Sequence, residues 1–266
     1  MKIYISADIE GIAGIADWDE ATRWKPDYPP FCEELMCEVI SACEGANNAG
    51  AKEIWIKDAH GVGRNLSFTG LPSNTTLIRS FSGHPFSMMS ELDNTFDAVV
   101  MVGYHSYAGS DGNPLSHTLE DDIACIKING EFASEFLINS YTASLVGVPV
   151  VFVSGDTELC KNAYKINPNI KTVETNKGIG NSVISKHPDV INCNIKEGVN
   201  ESLKTGFRKS ILPLPKYFDV ELSYNLHTKA YRASFYPGMK QVSPKNLEFK
   251  TNDYFEVLRM LSFVVY

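Results

Sequence analysis

The chain has 266 residues, 44% of them hydrophobic, and a formal net charge of −8. That is enough apolar material to bury one large domain, or one large and one small, which excludes a disordered chain. The acidic balance and the lack of any Lys/Arg run exclude a nucleic-acid partner, which needs clustered positive charge, and leave a small molecule or a short peptide.

The first apolar run, Ile3-Tyr4-Ile5, predicts a buried strand that leads into Asp8-Ile9-Glu10. Leu35, Met36, Val39, Ile40, Cys43 and Ala46 recur at helical spacing, Asn48 and Gly50 stop the helix, and Ile54-Trp55-Ile56 forms the next strand, ending at Asp58-Ala59-His60. Such a β-α-β unit feeds a parallel sheet, so Asp8, Glu10, Asp58 and His60 are expected to come together at its carboxyl edge. Extended backbone, in which residues two apart share a face, would aim Asp8 with Glu10 and Asp58 with His60 at one centre. A third strand over 98–102 delivers Gly103-Tyr104-His105, and the Gly-, Ser-, Asp- and Pro-rich stretch to His117 reads as an active-site loop.

A strand over 123–128 and an Asn129-Gly130 turn precede a helix over 134–146 with Glu135 in its first turn. A strand over 148–153 ends at Gly155-Asp156. Helical patterns are read around 159–166 and 182–185, Pro213 and Pro215 punctuate the chain, and strands are read over 218–222 and 247–249. Asn252 is expected to cap a last helix carrying Phe255, Leu258, Leu261 and Phe263. The predicted architecture is α/β, a mainly parallel sheet flanked by helices with a smaller α+β carboxyl-terminal portion. Residues 1–156 form the metal-binding core and 157–266 its continuation, with a soft boundary.

Cys32, Cys37, Cys43, Cys125, Cys160 and Cys193 show no paired or metal-ribbon spacing and read as plain thiols. With no secretory apolar region and no stretch long enough to span a bilayer, a soluble cytoplasmic protein without a membrane partner is expected. His84, His187 and His227 read as surface or structural histidines, and Gly178-Ile179-Gly180 is too short for a nucleotide-binding fingerprint. Hard and borderline metal ligands thus gather at strand exits, where ligands bind in open α/β sheets.

The ordered segments Ser6-Ala7-Asp8-Ile9-Glu10-Gly11, Lys57-Asp58-Ala59-His60, Gly103-Tyr104-His105, Leu115-Ser116-His117-Thr118 and Glu135-Phe136-Leu137-Ile138-Asn139 together resemble the zinc-dependent D-aminopeptidase family. The resemblance is strong over roughly the first 160 residues. It implies a two-zinc centre held by Asp8, Glu10, His60, His105 and Glu135, with His117 as the catalytic histidine. It also implies a short peptide substrate with a free amino terminus, a D-residue such as D-alanine in first position, and a homo-oligomer, in the family a large, decamer-type ring. Thr118 stands where the family pattern expects Ser, and the 107–114 loop is individual to this chain.

The chemistry of the residues agrees with those assignments. Zinc accepts imidazole nitrogen and carboxylate oxygen, and two His with three carboxylates hold two ions if one carboxylate, here Asp8, bridges. Metal-activated water is the simpler mechanism, and direct attack by His117 is the alternative. Asp58 and Asp156 are read as groups that orient a ligand or end a strand. Two other readings stay open: a metal-dependent amidase acting on another small amide, and a metal-binding protein without turnover.

Overall fold

Strand β1 (Lys2–Ala7) is buried on both faces beyond its first residue, the pattern of an inner strand of a parallel sheet. The computed structural model describes residues 1–204 and 206–266. In it β1 pairs in parallel with β2 (Glu53–Asp58) on one side and β4 (Ala98–Tyr104) on the other. Strands β3 (Thr75–Ile78), β7 (Val150–Gly155) and β8 (Lys171–Glu174) complete a six-stranded sheet in the order β3-β2-β1-β4-β7-β8, all parallel. The chain runs outward from β1 through β2 to β3, then restarts on the opposite side with β4. The β1/β4 boundary is therefore the topological switch point, where open α/β sheets form their ligand crevice.

Period-two alternation sorts the side chains between the two faces. Ile3, Ile5, Ala7, Ile54, Ile56, Val100 and Val102 pack against Leu35, Val39, Ala42, Cys43 and Ala46 of helix α2 (Tyr28–Asn48) and Ile191, Ile195 and Val199 of α5 (Pro188–Ser202). Tyr4, Val99, Met101 and Val153 face Phe136 of α3 (Glu135–Leu145) and Leu159 and Ala163 of α4 (Thr157–Ile166). A one-turn helix, α1 (Trp18–Ala21), follows the β1 exit loop and is closed by a capping box between Asp17 and Glu20.

A second, antiparallel sheet runs β12-β13-β11-β5-β6. It is built from β5 (Ile123–Ile128), β6 (Glu131–Phe132), β11 (Phe218–Tyr224), β12 (Lys240–Gln241) and β13 (Asn246–Thr251), packed on α6 (His227–Ala233) and α7 (Tyr254–Val264). Residue 156 is crossed in both directions: β5 and β6 precede it yet join this sheet, and β8 follows it yet joins the parallel one. Two local expectations are corrected. Residues Ser182–Ser185 form strand β10, paired with β9 (Asn176–Ile179) in an antiparallel hairpin, because four residues around a Gly180 turn at φ +57° satisfy their backbone across strands and are too few for a helix. Asp253, not Asn252, caps α7, its carboxylate accepting from Phe255 N. Among the described residues no helix is long and apolar enough to cross a membrane.

Candidate metal centre

Three strand exits, one helix start and the loop between β4 and β5 bring Asp8, Glu10, His60, His105, Glu135 and His117 together. His60 Nδ1 lies 3.5 Å from Asp8 Oδ1 and 3.0 Å from Glu10 Oε1. On the other side His105 Nε2 lies 3.5 Å from both Asp8 Oδ2 and Glu135 Oε2, and His117 Nε2 lies 3.7 Å from Glu135 Oε1. Asp8 therefore stands in the middle with one oxygen toward each histidine. Asp8, Glu10, His105 and Glu135 are each 3% exposed or less.

The convergence does not arise from extended backbone. β1 ends at Ala7, and residues 9–14 fold back in turns, with Ile12 N donating to the Ile9 carbonyl. The turn is pressed against the β4 exit: Asp8 N donates to the Val102 carbonyl and Gly11 N to the Gly103 carbonyl. The approach is so close that a Cβ on Gly11 would fall 1.7 Å from the Tyr104 carbonyl oxygen, and one on Gly103, at φ +70°, 2.2 Å from that of Asp8. Only glycine fits either position. Asn113 Nδ2 then holds the Glu10 carbonyl from the loop after β4.

Asp58 stands behind the centre, where it orients the His60 loop, one of the roles read for it from the sequence. Its carboxylate accepts from Asn65 N, Asn65 Nδ2 and Leu66 N, and the same Asn65 amide donates to the His60 carbonyl. Both oxygens are consumed in fastening the loop that carries His60. Asp156 does the parallel service for His105. It caps α4 through Glu158 N and Leu159 N and accepts from Ser106 N and Oγ. Thr118 is buried, its hydroxyl accepting from Ala108 N and donating to the Ala133 carbonyl.

Each histidine is fixed through one ring nitrogen to a backbone carbonyl: His60 Nε2 to Ala21, His105 Nδ1 to Ser106, His117 Nδ1 to Leu115. The carbonyl takes one ring N–H, which fixes the ring with its opposite nitrogen turned toward the carboxylates. Without a metal the charges settle among themselves. Burial opposes a charged His60 and His105, but Glu10 and Asp8 around the first, and Glu135 and Asp8 around the second, hold both imidazoles well above their usual range. Burial also opposes the Asp8 anion, yet His105 and His60 hold its carboxyl well below the usual range.

The donors fit a metal. Among the described residues His105 Nε2 and Glu10 Oε2 are buried with no hydrogen-bond partner, a costly state for two polar atoms unless something else engages them. Ligand atoms from Asp8, Glu10 and His105 lie within 4.8 Å of one another, as do those from His105, His117 and Glu135. His117 differs from the others in its surroundings: it stacks on His105 with ring centroids 4.2 Å apart, meets the edge of Trp18, and opens on a cavity of about 430 Å³. Phe81, Met88, Leu119 and Tyr266 form much of the cavity wall, and His84, read from sequence as surface or structural, lies on it too. Sequence reasoning passed over Asn65, Ser106 and Asn113, whose only signal was their place next to ligand-bearing segments.

A family model described as D-aminopeptidase matches residues 1–263. The chain is 33% identical over 185 residues to a D-aminopeptidase of Bacillus subtilis (strain 168), an alignment covering 69% of this chain and 66%, just under two thirds, of that relative. A solved structure described as the Zn-dependent D-aminopeptidase DppA from Bacillus subtilis, a self-compartmentalizing protease, superposes with a TM-score of 0.93 at 26% identity, covering 100% of this chain and 97% of that one. With the family model spanning nearly the whole sequence, the chain belongs to the D-aminopeptidase family.

Proposed function

We propose that this protein is a zinc-dependent aminopeptidase that removes the first residue, D-alanine or another D-amino acid, from short peptides. The observation that carries the reading is the pair of partnerless buried donors, His105 Nε2 and Glu10 Oε2, among three buried carboxylates. In this reading Asp8, Glu10 and His60 on one side and His105 and Glu135 on the other would hold the zinc, two ions if Asp8 served both sides. Bound zinc would supply Lewis acidity toward the peptide carbonyl and lower the pKa of a water.

The chain's own residues do the rest. His117 Nδ1–H is tied to the Leu115 carbonyl, so its Nε2 is the atom free to take a proton and return it to the leaving amine. Its position at the cavity, beside Glu135, suits that task better than ligation. Direct attack by the same nitrogen uses the same geometry and ranks second, since it needs a covalent intermediate in addition. A D-residue preference is brought by the likeness to the Bacillus subtilis enzymes and by nothing in the cavity walls themselves.

The reading extends to the rest of the molecule. Residues 1–156 act as the catalytic core, because all six site residues come from them, and 157–266 complete both sheets. A cytoplasmic setting goes with six free cysteines. Self-assembly into a ring follows the self-compartmentalizing description of the structural relative, and a light-scattering mass equal to the monomer would overturn it. The test of the activity is release of free D-alanine from D-Ala-D-Ala by zinc-loaded protein, with L-Ala-L-Ala as control. Release from the D-peptide alone is expected; release from neither moves the assignment to an amidase with another substrate.

A further inference from the structure

The cavity beside His117 carries a charge pattern that the metal centre does not use. Its lining includes two carboxylates, Glu135 and Glu120, and no lysine or arginine among the described residues. Glu135 is engaged from within, accepting from Leu119 N at 2.7 Å and facing His105. Glu120 makes no ion pair among the described residues, while the neighbouring Asp122 is paired with Lys229 at 2.9 Å.

The placement of Glu120 is built in. Leu119 sits at φ +68°, a left-handed conformation that costs a branched residue of this kind on the order of 1–2 kcal/mol and persists only where its surroundings impose it. Here they do: Leu119 N is bound to Glu135, Thr118 is buried and locked on both sides, and Glu120 N returns to the Thr118 carbonyl. The reversal at Leu119 puts His117 and Glu120 on the same cavity. A catalytic histidine and an unpaired carboxylate are thus held by one short, rigid segment.

We propose that Glu120 is the residue that receives the substrate's free ammonium group. The inference rests on the aminopeptidase reading, under which the centre's two divalent cations outweigh its three carboxylates and leave a net positive charge. A cationic amino terminus approaching that centre needs a compensating anion at the cavity wall, and Glu120 is the available one. The recognised class is a short peptide with a protonated primary amine and an apolar body, the latter suited to Phe81, Met88 and Leu119.

The test compares wild type with Glu120→Gln, both zinc-loaded. For D-Ala-D-Ala, KM rises about tenfold, the loss of one charge-assisted hydrogen bond, while kcat changes far less and the zinc content, read by elemental analysis, stays the same. Calorimetry supplies a readout apart from turnover. Wild type binds D-alaninamide more tightly than propionamide, which lacks the amine, and Glu120→Gln loses that preference. Equal preference in both proteins overturns the proposal, and so does a fall in zinc content, which would mean that Glu120 acts through the metal centre. A KM effect confined to peptides carrying a lysine side chain would overturn the amino-terminal assignment in favour of a side-chain amine. If wild type hydrolyses no peptide, the aminopeptidase reading fails, and the calorimetric comparison still decides whether Glu120 binds ammonium.

Discussion

Glu38 offers a sharp test of how the ligand-bearing turn is held. It lies in the middle of α2, fully buried, where its Oε1 accepts from Ala13 N at 2.8 Å and its Oε2 has no partner among the described residues. Burial, opposed only in part by the Ala13 bond, pushes its carboxyl from 4.5 up to about 8, so at neutral pH the side chain is a neutral acid. A carboxyl with a raised folded-state value binds its proton more tightly when folded. Its contribution is therefore fully present below about 4.5 and is lost as pH rises to about 8. At about 1.4 kcal/mol per pH unit the loss approaches 5 kcal/mol. Glu38→Gln keeps the acceptor for Ala13 N and cannot ionise. The variant is expected to match wild type near pH 4.5 and to exceed it progressively, by several kcal/mol at pH 8. Urea unfolding midpoints at pH 5, 6, 7 and 8, with m-values checked for constancy, measure the difference. A gap between the two proteins that stays constant with pH would refute the reasoning, because it would mean that Glu38 ionises normally in the folded chain.

His117→Ala is expected to lower turnover of D-Ala-D-Ala by about 10²–10⁴-fold with zinc content retained, measured by product release and elemental analysis on the same sample. Asp58→Ala frees Asn65 and with it the His60 loop, and should weaken zinc binding by about 10–100-fold in a chelator competition. Gly103→Ala drives a Cβ to 2.2 Å from the Asp8 carbonyl oxygen at φ +70°; we expect about 2–4 kcal/mol of destabilisation, read as a lowered thermal midpoint, together with reduced zinc content. Zinc uptake must displace protons from His60 and His105, both held above their usual range, so zinc affinity should rise with pH through neutrality, as read in buffers of differing ionisation enthalpy.

The parallel sheet was legible because its strands are buried on both faces and read as unbroken apolar runs: Ile3-Tyr4-Ile5 and Val99-Val100-Met101-Val102 allow little else. The proximity of Asp8, Glu10, His60 and His105 was legible because each follows such a run within a few residues, whereas Glu135, at a helix start, and His117, in a loop, were reached only through the family resemblance. What the sequence hid was long-range or local in ways that periodicity does not report. The short strand at Ser182–Ser185 is defined by its partner across Gly180, not by its own pattern. Asp58 reads from sequence as either an orienting group or a strand end, and only the fold shows Asn65 and Leu66 occupying both its oxygens. The membership of β5 in the second sheet depends on pairing with β11, some ninety residues later. Leu119 gives no sign in the sequence of its left-handed backbone, since that conformation is imposed from Glu135 and Thr118.

The arrangement of the three histidines explains why a buried acidic cluster can exist at all. Three carboxylates crowded into a dry site would repel one another and lose their hydration, a cost of several kcal/mol per ion. Protonated His60 and His105 offset part of it, with Asp8 shared between them. That exchange leaves the His105 Nε2 and Glu10 Oε2 directions without good partners, so the proton-filled centre is held together but unsatisfied. The Ala21, Ser106 and Leu115 carbonyls meanwhile fix every ring against rotation, and Asp58 and Asp156 fix the loops that carry two of them. A cation would take the place of the two imidazole protons among ring nitrogens and carboxylate oxygens already oriented toward it, so its binding would cost the release of protons and little rearrangement of side chains.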